Sequence, residues 1–289
     1  MSQESNSIDL SIVIPAKNEA GAIGDVVKTA RSKYPEAEII VVDDGSDDAT
    51  AEVAEAAGAT VISHPESLGN GAAVKSGARA ANGEVLALMD GDGQHDSGEL
   101  GPLLEKLEQG YDMAVGARHS GSHASIGRLF ANGLYNELAS LISGRQILDL
   151  TSGFRVVRTS MFRRFLYLLP NGFSYPTTIT MAFLRSGFPV CFEPVKVADR
   201  SGKSHIRPIR DGLRFLVIIF KITTLYSPLK VFVPLSATFF ATGLGYYAYT
   251  YFTSGRLTNM SVLVFSAAVI IFLIGLISEQ ITALTYSKS

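Results

Sequence analysis

Tryptophan is absent from the 289 residues and cysteine occurs once, at Cys191. A lone thiol excludes an intrachain disulfide and a cysteine-rich zinc site. An excess of one charge is missing too. There are 25 Lys and Arg against 27 Asp and Glu, a net −2 with a sequence pI near 6.2. That balance argues against nucleic acid as a partner, because nucleic-acid-binding domains usually carry a strongly basic face. Met1 to Asp9 lacks the apolar core of a signal peptide, so the first domain is expected to stay in the cytosol. Neither a repeat of fixed period nor a low-complexity tract is present. Charge disappears altogether from Val231 to Gly255 and from Leu257 to Ser278, in a chain that is 47% hydrophobic with a mean hydropathy of +0.23. Each run exceeds the roughly 20 residues that cross a bilayer.

Those runs predict a transmembrane hairpin, with spans at about 231–253 and 258–280, turning at Ser254-Gly255-Arg256. Arg200, Lys203, Arg207, Arg210, Arg214, Lys221 and Lys230 precede the first span and Lys288 follows the second, whereas only Arg256 lies in the connection. By the positive-inside rule the first domain and both termini are expected to be cytoplasmic. Arg207, Arg210, Arg214 and Lys221 fall on one stripe of a helix starting near Pro208, which predicts an amphipathic helix with its cations toward anionic headgroups. The expected organisation is a cytosolic domain over 1–205, a juxtamembrane helix over 206–227 and the hairpin over 228–289.

Before residue 100, strand and helix alternate four times. Ser11 to Pro15, Glu38 to Val42, Thr60 to Ile62 and Val85 to Leu88 read as strands, and Ala22 to Ser32, Ala49 to Ala57 and the segment from Gly69 to Ala80 as helices. Such alternation predicts an α/β fold with a Rossmann-like, doubly wound and mainly parallel sheet. After Pro102 the pattern loosens. Met113 to Val115 is an expected strand, Gly127 to Ser143 a helix, and Gly187 to Val197 a strand leading out of the sheet.

Polar clusters fall where predicted strands end: Pro15-Ala16-Lys17-Asn18-Glu19, Asp43-Asp44 and Asp90-Gly91-Asp92-Gly93-Gln94-His95. In an open α/β sheet these ends share one edge, the edge that binds ligand. Two carboxylates one residue apart offer hard oxygen ligands suited to Mg²⁺ or Mn²⁺, although Asp-Gly-Asp-Gly by itself is equally a polar turn. Either carboxylate of Asp43-Asp44 has the chemistry to accept hydrogen bonds from a base or ribose. His64, His119 and His123 have no partner at ligand spacing and read as loop residues.

Taken together, Ile14 to Glu19, Val42 to Ser46, Gly69 to Gly77 and Asp90 to His95 resemble the family 2 glycosyltransferases of the GT-A fold. Gly116-Ala117-Arg118, Asp149 to Arg155 and Gly202-Lys203-Ser204-His205 are most similar to its polyprenyl-phosphate branch, the dolichol-phosphate mannosyltransferase type. The resemblance implies inverting, metal-dependent transfer from a nucleoside-diphosphate sugar to undecaprenyl or dolichyl phosphate, with UDP-glucose slightly favoured over GDP-mannose. It implies that Pro15, Lys17, Glu19 and Asp44 line the nucleotide pocket. Asp90, Asp92 and Gln94, with Gly91 between the carboxylates, would hold the metal and diphosphate; Arg118, Arg128 and Asn132 would hold the acceptor phosphate. A basic segment with Arg200 and Lys203 would close over the donor, the clamp remaining open among Arg200, Lys203 and His205. Asp149 would be a base or would orient Arg118 or Arg155. A processive polysaccharide synthase should add a Gln-x-x-Arg-Trp motif and more spans, and an inactive membrane partner should have lost part of this set. A homo-oligomer is compatible with the chain.

Overall fold

The computed structural model describes residues 9–118, 133, 136, 137, 139–172, 174–196, 220, 224 and 226–286. Their contacts divide into two units, Met1–Ser140 with Arg145–His205, and Leu141–Gly144 with Ile206–Ser289.

The first unit is built on seven strands: β1 (Leu10–Ala16), β2 (Glu38–Asp43), β3 (Thr60–Ser63), β4 (Val85–Leu88), β5 (Met113–Arg118), β6 (Arg155–Arg158) and β7 (Val190–Val195). Their order is β3-β2-β1-β4-β6-β5-β7. β1 pairs parallel with β2 and β4, β2 with β3, and β5 with β7, while β6 runs antiparallel to β4 and β5. Apolar residues run on consecutively through β1, β2 and β4 because both sheet faces are covered. One face buries Ile12, Ile14, Ile39, Val41, Ala87 and Phe154 against helix α1 (Ile23–Lys33) and helix α4 (Leu100–Glu108). On the other, α3 (Asn70–Ala80) lies so close that a Cβ on Gly77 would strike Val13 Cγ1. α2 (Thr50–Ala56), α5 (Thr159–Arg164) and α6 (Tyr175–Arg185) complete the layers. Arg163 of α5 donates to the carbonyls of Ala78, Arg79 and Ala81, satisfying the end of α3.

Three elements depart from the sequence expectation. α4 forms although it contains Pro102, because a proline in the first helical turn forfeits no intrahelical bond. β6 enters the sheet between β4 and β5, where no strand is predicted. The strand predicted over Gly187 to Val197 does not leave the sheet; β7 pairs with β5 along six residues at its edge. The predicted helix over Gly127 to Ser143 falls largely outside the described residues, and 139–143 are helical.

The second unit contains α7 (Leu229–Ser254) and α8 (Asn259–Tyr286), both long and apolar enough to cross a membrane. α7 stops at Gly255, whose φ of 67° provides the left-handed cap a helix end requires. α8 runs past the predicted limit to Tyr286 because Glu279 and Gln280 end the apolar run without breaking a helix. A Cβ on Gly275 would lie 2.6 Å from Phe232 Cβ, and Ser236 Oγ donates to Ala268 O at 2.8 Å, so small residues let the helices approach. Most of their large apolar side chains stay exposed, and Tyr246, Tyr249, Tyr251 and Phe252 gather near the turn, as at a membrane interface.

Candidate active site

The ends of β1 and β2 are laced together. Asn18 takes the left-handed φ of 55° that its short polar side chain tolerates. Its N–H donates to Ser46 Oγ at 2.9 Å, its Oδ1 accepts from Asp47 N at 2.8 Å, and Glu19 N donates to Thr50 Oγ1 at 2.8 Å. Pro15, Lys17 and Glu19 thus stand beside Asp43 at the carboxyl edge, Lys17 exposed and Pro15 and Glu19 half-buried.

Asp44 is buried, and its two oxygens accept from His64 Nδ1 (2.8 Å), Ser67 Oγ (2.8 Å), Leu68 N (2.9 Å) and Gly69 N (2.8 Å). Burial opposes its charge, but bonds from His64, Leu68, Ser67 and Gly69 hold the carboxyl below the usual carboxylate range. His64 lies in the loop after β3, as expected, and its Nε2 also meets Ser76 Oγ at 2.9 Å, tying that loop to α3. Asp44 therefore shapes the loop before α3. Asp44→Ala leaves those donors without their acceptor, so we expect a loss of about 3–5 kcal/mol in unfolding free energy. Denaturant unfolding checks this, and Asp44→Asn should lose less. Gly69, at φ 101°, and Gly71 admit the backbone of 170–172 where a Cβ would collide with the carbonyls of Asn171 and Pro170.

Asp90 follows β4 and leans on the turn before β6. A Cβ on Gly153 would lie 3.1 and 3.2 Å from its two carboxylate oxygens and 3.4 Å from the hydroxyl of Tyr175. Asp92 accepts only Gln94 N, at 3.1 Å, among the bonds of the described residues, and is half-buried, so its carboxylate is available to a ligand. No cluster of three His, Cys, Asp or Glu residues capable of holding a metal occurs among the described residues. The two carboxylates, with Gln94 beside them, still fit Mg²⁺ or Mn²⁺, since Mg²⁺ is commonly held by one or two carboxylates and completed by substrate phosphates. Gln94 lines a cleft of about 710 Å³ that also reaches His95 and Lys196. His95 stacks on Phe154 with ring centroids 4.6 Å apart. Its burial pushes the imidazole down to about 4, against the pull of Asp92, so the ring is neutral near pH 7.

Arg118, the last residue of β5, meets Asp149 as a fork: Nε to Oδ2 at 2.7 Å and a terminal nitrogen to Oδ1 at 3.1 Å. The same nitrogen donates to Thr151 Oγ1 at 2.6 Å, and Thr151 N and Oγ1 donate to Asp149 Oδ1. Burial disfavours the Asp149 carboxylate, but the Arg118 guanidinium outweighs it and holds the group below the usual range. With both oxygens occupied, Asp149 orients Arg118 and is a poor base. Arg155, the alternative partner, bonds elsewhere. Arg128, Asn132, Arg200, Lys203, His205 and the stripe Arg207, Arg210, Arg214 and Lys221 lie outside the described residues. Sequence reasoning missed Tyr175, whose signal was slight: an aromatic residue beside Pro176 at a helix start.

Comparison with known proteins places this site in a family. Residues 11–167 match the model of glycosyl transferase family 2, and residues 227–284 that of the GtrB C-terminal hairpin. Glycosyltransferase AglJ of Haloferax volcanii is 29% identical over 94% of this chain and 93% of its own length. The dolichyl-phosphate hexose transferase of the same organism is 30% identical, covering 71% of this chain and 89% of the relative. Among solved structures, glucosyl-3-phosphoglycerate synthase from Mycobacterium tuberculosis in complex with Mn²⁺, UDP and phosphoglyceric acid superposes with a TM-score of 0.60 at 21% identity, over 76% of this chain and 78% of that one. The sheet, with its one antiparallel strand and its Asp-x-Asp edge, is accordingly GT-A-like, and the chain belongs to glycosyl transferase family 2.

Proposed function

We propose that this glycosyltransferase moves a hexose from a nucleoside-diphosphate sugar to a membrane polyprenyl phosphate, inverting the anomeric carbon, with UDP-glucose as donor in preference to GDP-mannose. The observation that carries the reading is the fork-held Arg118 at the same sheet edge as Asp90, in a chain that ends in two helices able to span a bilayer. An arginine held in that way suits an anionic phosphate acceptor. The relative named dolichyl-phosphate hexose transferase supports a lipid phosphate, and the UDP and Mn²⁺ in the mycobacterial enzyme support a uridine nucleotide and a divalent ion. Two apolar helices and the absence of tryptophan disfavour a processive synthase. On this reading the chain comprises a cytoplasmic domain over 1–205, a juxtamembrane helix over 206–227 and a hairpin over 228–289, with both termini cytoplasmic.

The chemistry is a single in-line displacement. A phosphate oxygen of the acceptor attacks the anomeric carbon as its bond to the nucleoside diphosphate breaks, and the electron pair leaves with the diphosphate. The acceptor is already anionic, so no side chain need remove a proton; Arg118, with Arg128 and Asn132, aligns it. Pro15, Lys17, Glu19 and Asp43 would border the nucleotide, and Arg200 or Lys203 would cover its diphosphate. Asp90, Asp92 and Gln94 would hold Mg²⁺ or Mn²⁺, which when bound offsets the charge of the departing diphosphate.

Purified enzyme in detergent, given short-chain polyprenyl phosphate and either UDP-glucose or GDP-mannose, should form a polyprenyl-phosphate hexose only with the former, and only with divalent cation present. Product mass identifies it. Turnover with GDP-mannose alone would correct the donor, and turnover of free sugar phosphates but no lipid phosphate would overturn the acceptor.

A further inference from the structure

Arg155 is completely buried at the start of β6, opposite Leu88 of β4, two residues before Asp90. One terminal nitrogen of its guanidinium donates to Pro176 O and Thr180 Oγ1, both at 3.1 Å, and the other to Ser152 O, while Nε has no partner. These oxygens are all neutral, and among the described residues no carboxylate contacts Arg155, whereas Arg118 and Arg158 each pair with one. A buried cation without a contacting counter-ion is expensive to keep. The charged groups that act on it electrostatically are Asp149 and Asp90, carboxylates of the candidate site. Its bonds to Ser152 and Pro176 also fix the turn and helix start around Gly153, which adjoins both Asp90 and the Tyr175 hydroxyl.

We propose that Arg155 is a positioning residue whose buried positive charge, with no carboxylate in contact and fixed to the turn that adjoins Asp90, draws anionic substrate into the site and keeps the carboxylates from repelling it. The proposal rests on the reading of Asp90 as part of the diphosphate site. Without such a charge, a donor diphosphate would approach Asp90 and Asp92 with less positive charge nearby to offset theirs. A fixed charge has a signature that looser packing lacks: it favours anions and disfavours cations at the same place.

The test compares wild type with Arg155→Met and Arg155→Gln, the latter keeping hydrogen-bond donors without the charge. UDP alone is titrated by calorimetry, and Mn²⁺ alone by electron paramagnetic resonance. In both variants UDP should bind about tenfold more weakly and Mn²⁺ several-fold more tightly, as expected for removing a unit charge close to the site. Parallel weakening of both ligands would reduce Arg155 to a structural role, and unchanged Mn²⁺ affinity would overturn the proposal. Should neither neutral variant fold, Arg155→Lys decides: it keeps the charge but not the fork, and must retain wild-type affinity for both. Loss of both there assigns the effect to the bonds instead. Failure of the underlying reading looks different, because wild type itself would then bind no UDP.

Discussion

Asp92→Ala is expected to give a folded protein whose sugar transfer has fallen about 10³-fold, the scale of losing a main stabiliser of transition-state charge. Folding should survive because the carboxylate of Asp92 accepts one local bond, from Gln94 N at 3.1 Å, and such a bond contributes about 1 kcal/mol. Catalysis should not survive if, as proposed, the half-buried carboxylate helps hold the metal that offsets the charge of the departing diphosphate. Asp90→Ala should also be damaging but is harder to interpret, since Asp90 lies against Gly153, in the turn that also adjoins the buried Tyr175. The measurement is initial rate against Mg²⁺ and Mn²⁺ concentration beside thermal unfolding. Undiminished turnover in excess chelator, or a near wild-type Asp92→Ala enzyme, would remove the metal from the mechanism.

The parallel half of the sheet was legible because β1, β2 and β4 are runs of apolar residues with a polar cluster at one end, and burial on two faces leaves few other ways to satisfy such runs. β6 was not. Its sequence, Arg155-Val156-Val157-Arg158, has a cation at each end and only two apolar residues. What makes it a strand is the pairing of Leu86 with Val157 and of Ala114 with Val156, a decision taken by residues far away in sequence. Nor does any local pattern announce that Arg155 is buried, since arginine seldom is.

The site divides along the same line. Asp90, Asp92, Asp43 and Glu19 could be placed on one edge from strand ends alone. The role of Asp44 could not, because it depends on residues 64–69 folding back over β2 to donate to its oxygens. Asp149 and Arg118 are 31 positions apart, so the sequence permitted a base or an orienting partner of either Arg118 or Arg155. The fork between Arg118 and Asp149 and the separate bonds of Arg155 make Arg118 the partner of Asp149.

Replacement of Arg118 should therefore separate acceptor use from nucleotide binding. Arg118 is held by Asp149 and Thr151, on the side of the sheet away from β2 and the expected nucleotide residues. Arg118→Ala is expected to lower transfer to polyprenyl phosphate by about 10²-fold or more, the penalty typical of losing alignment of a reacting group. Calorimetric affinity for the nucleotide should stay near wild type. The variant also strands a buried carboxylate, so Asp149→Asn should be added to it; the double variant should regain stability but not activity. Arg118→Lys keeps a charge without the fork and should fall between, with the deficit in KM for the acceptor. Asp149→Asn alone should behave like Arg118→Lys, because an amide offers the guanidinium one acceptor instead of two. An Asp149→Asn enzyme that lost all activity while retaining acceptor affinity would restore Asp149 as a base, and equal loss of nucleotide affinity in every Arg118 variant would place Arg118 at the donor end of the site.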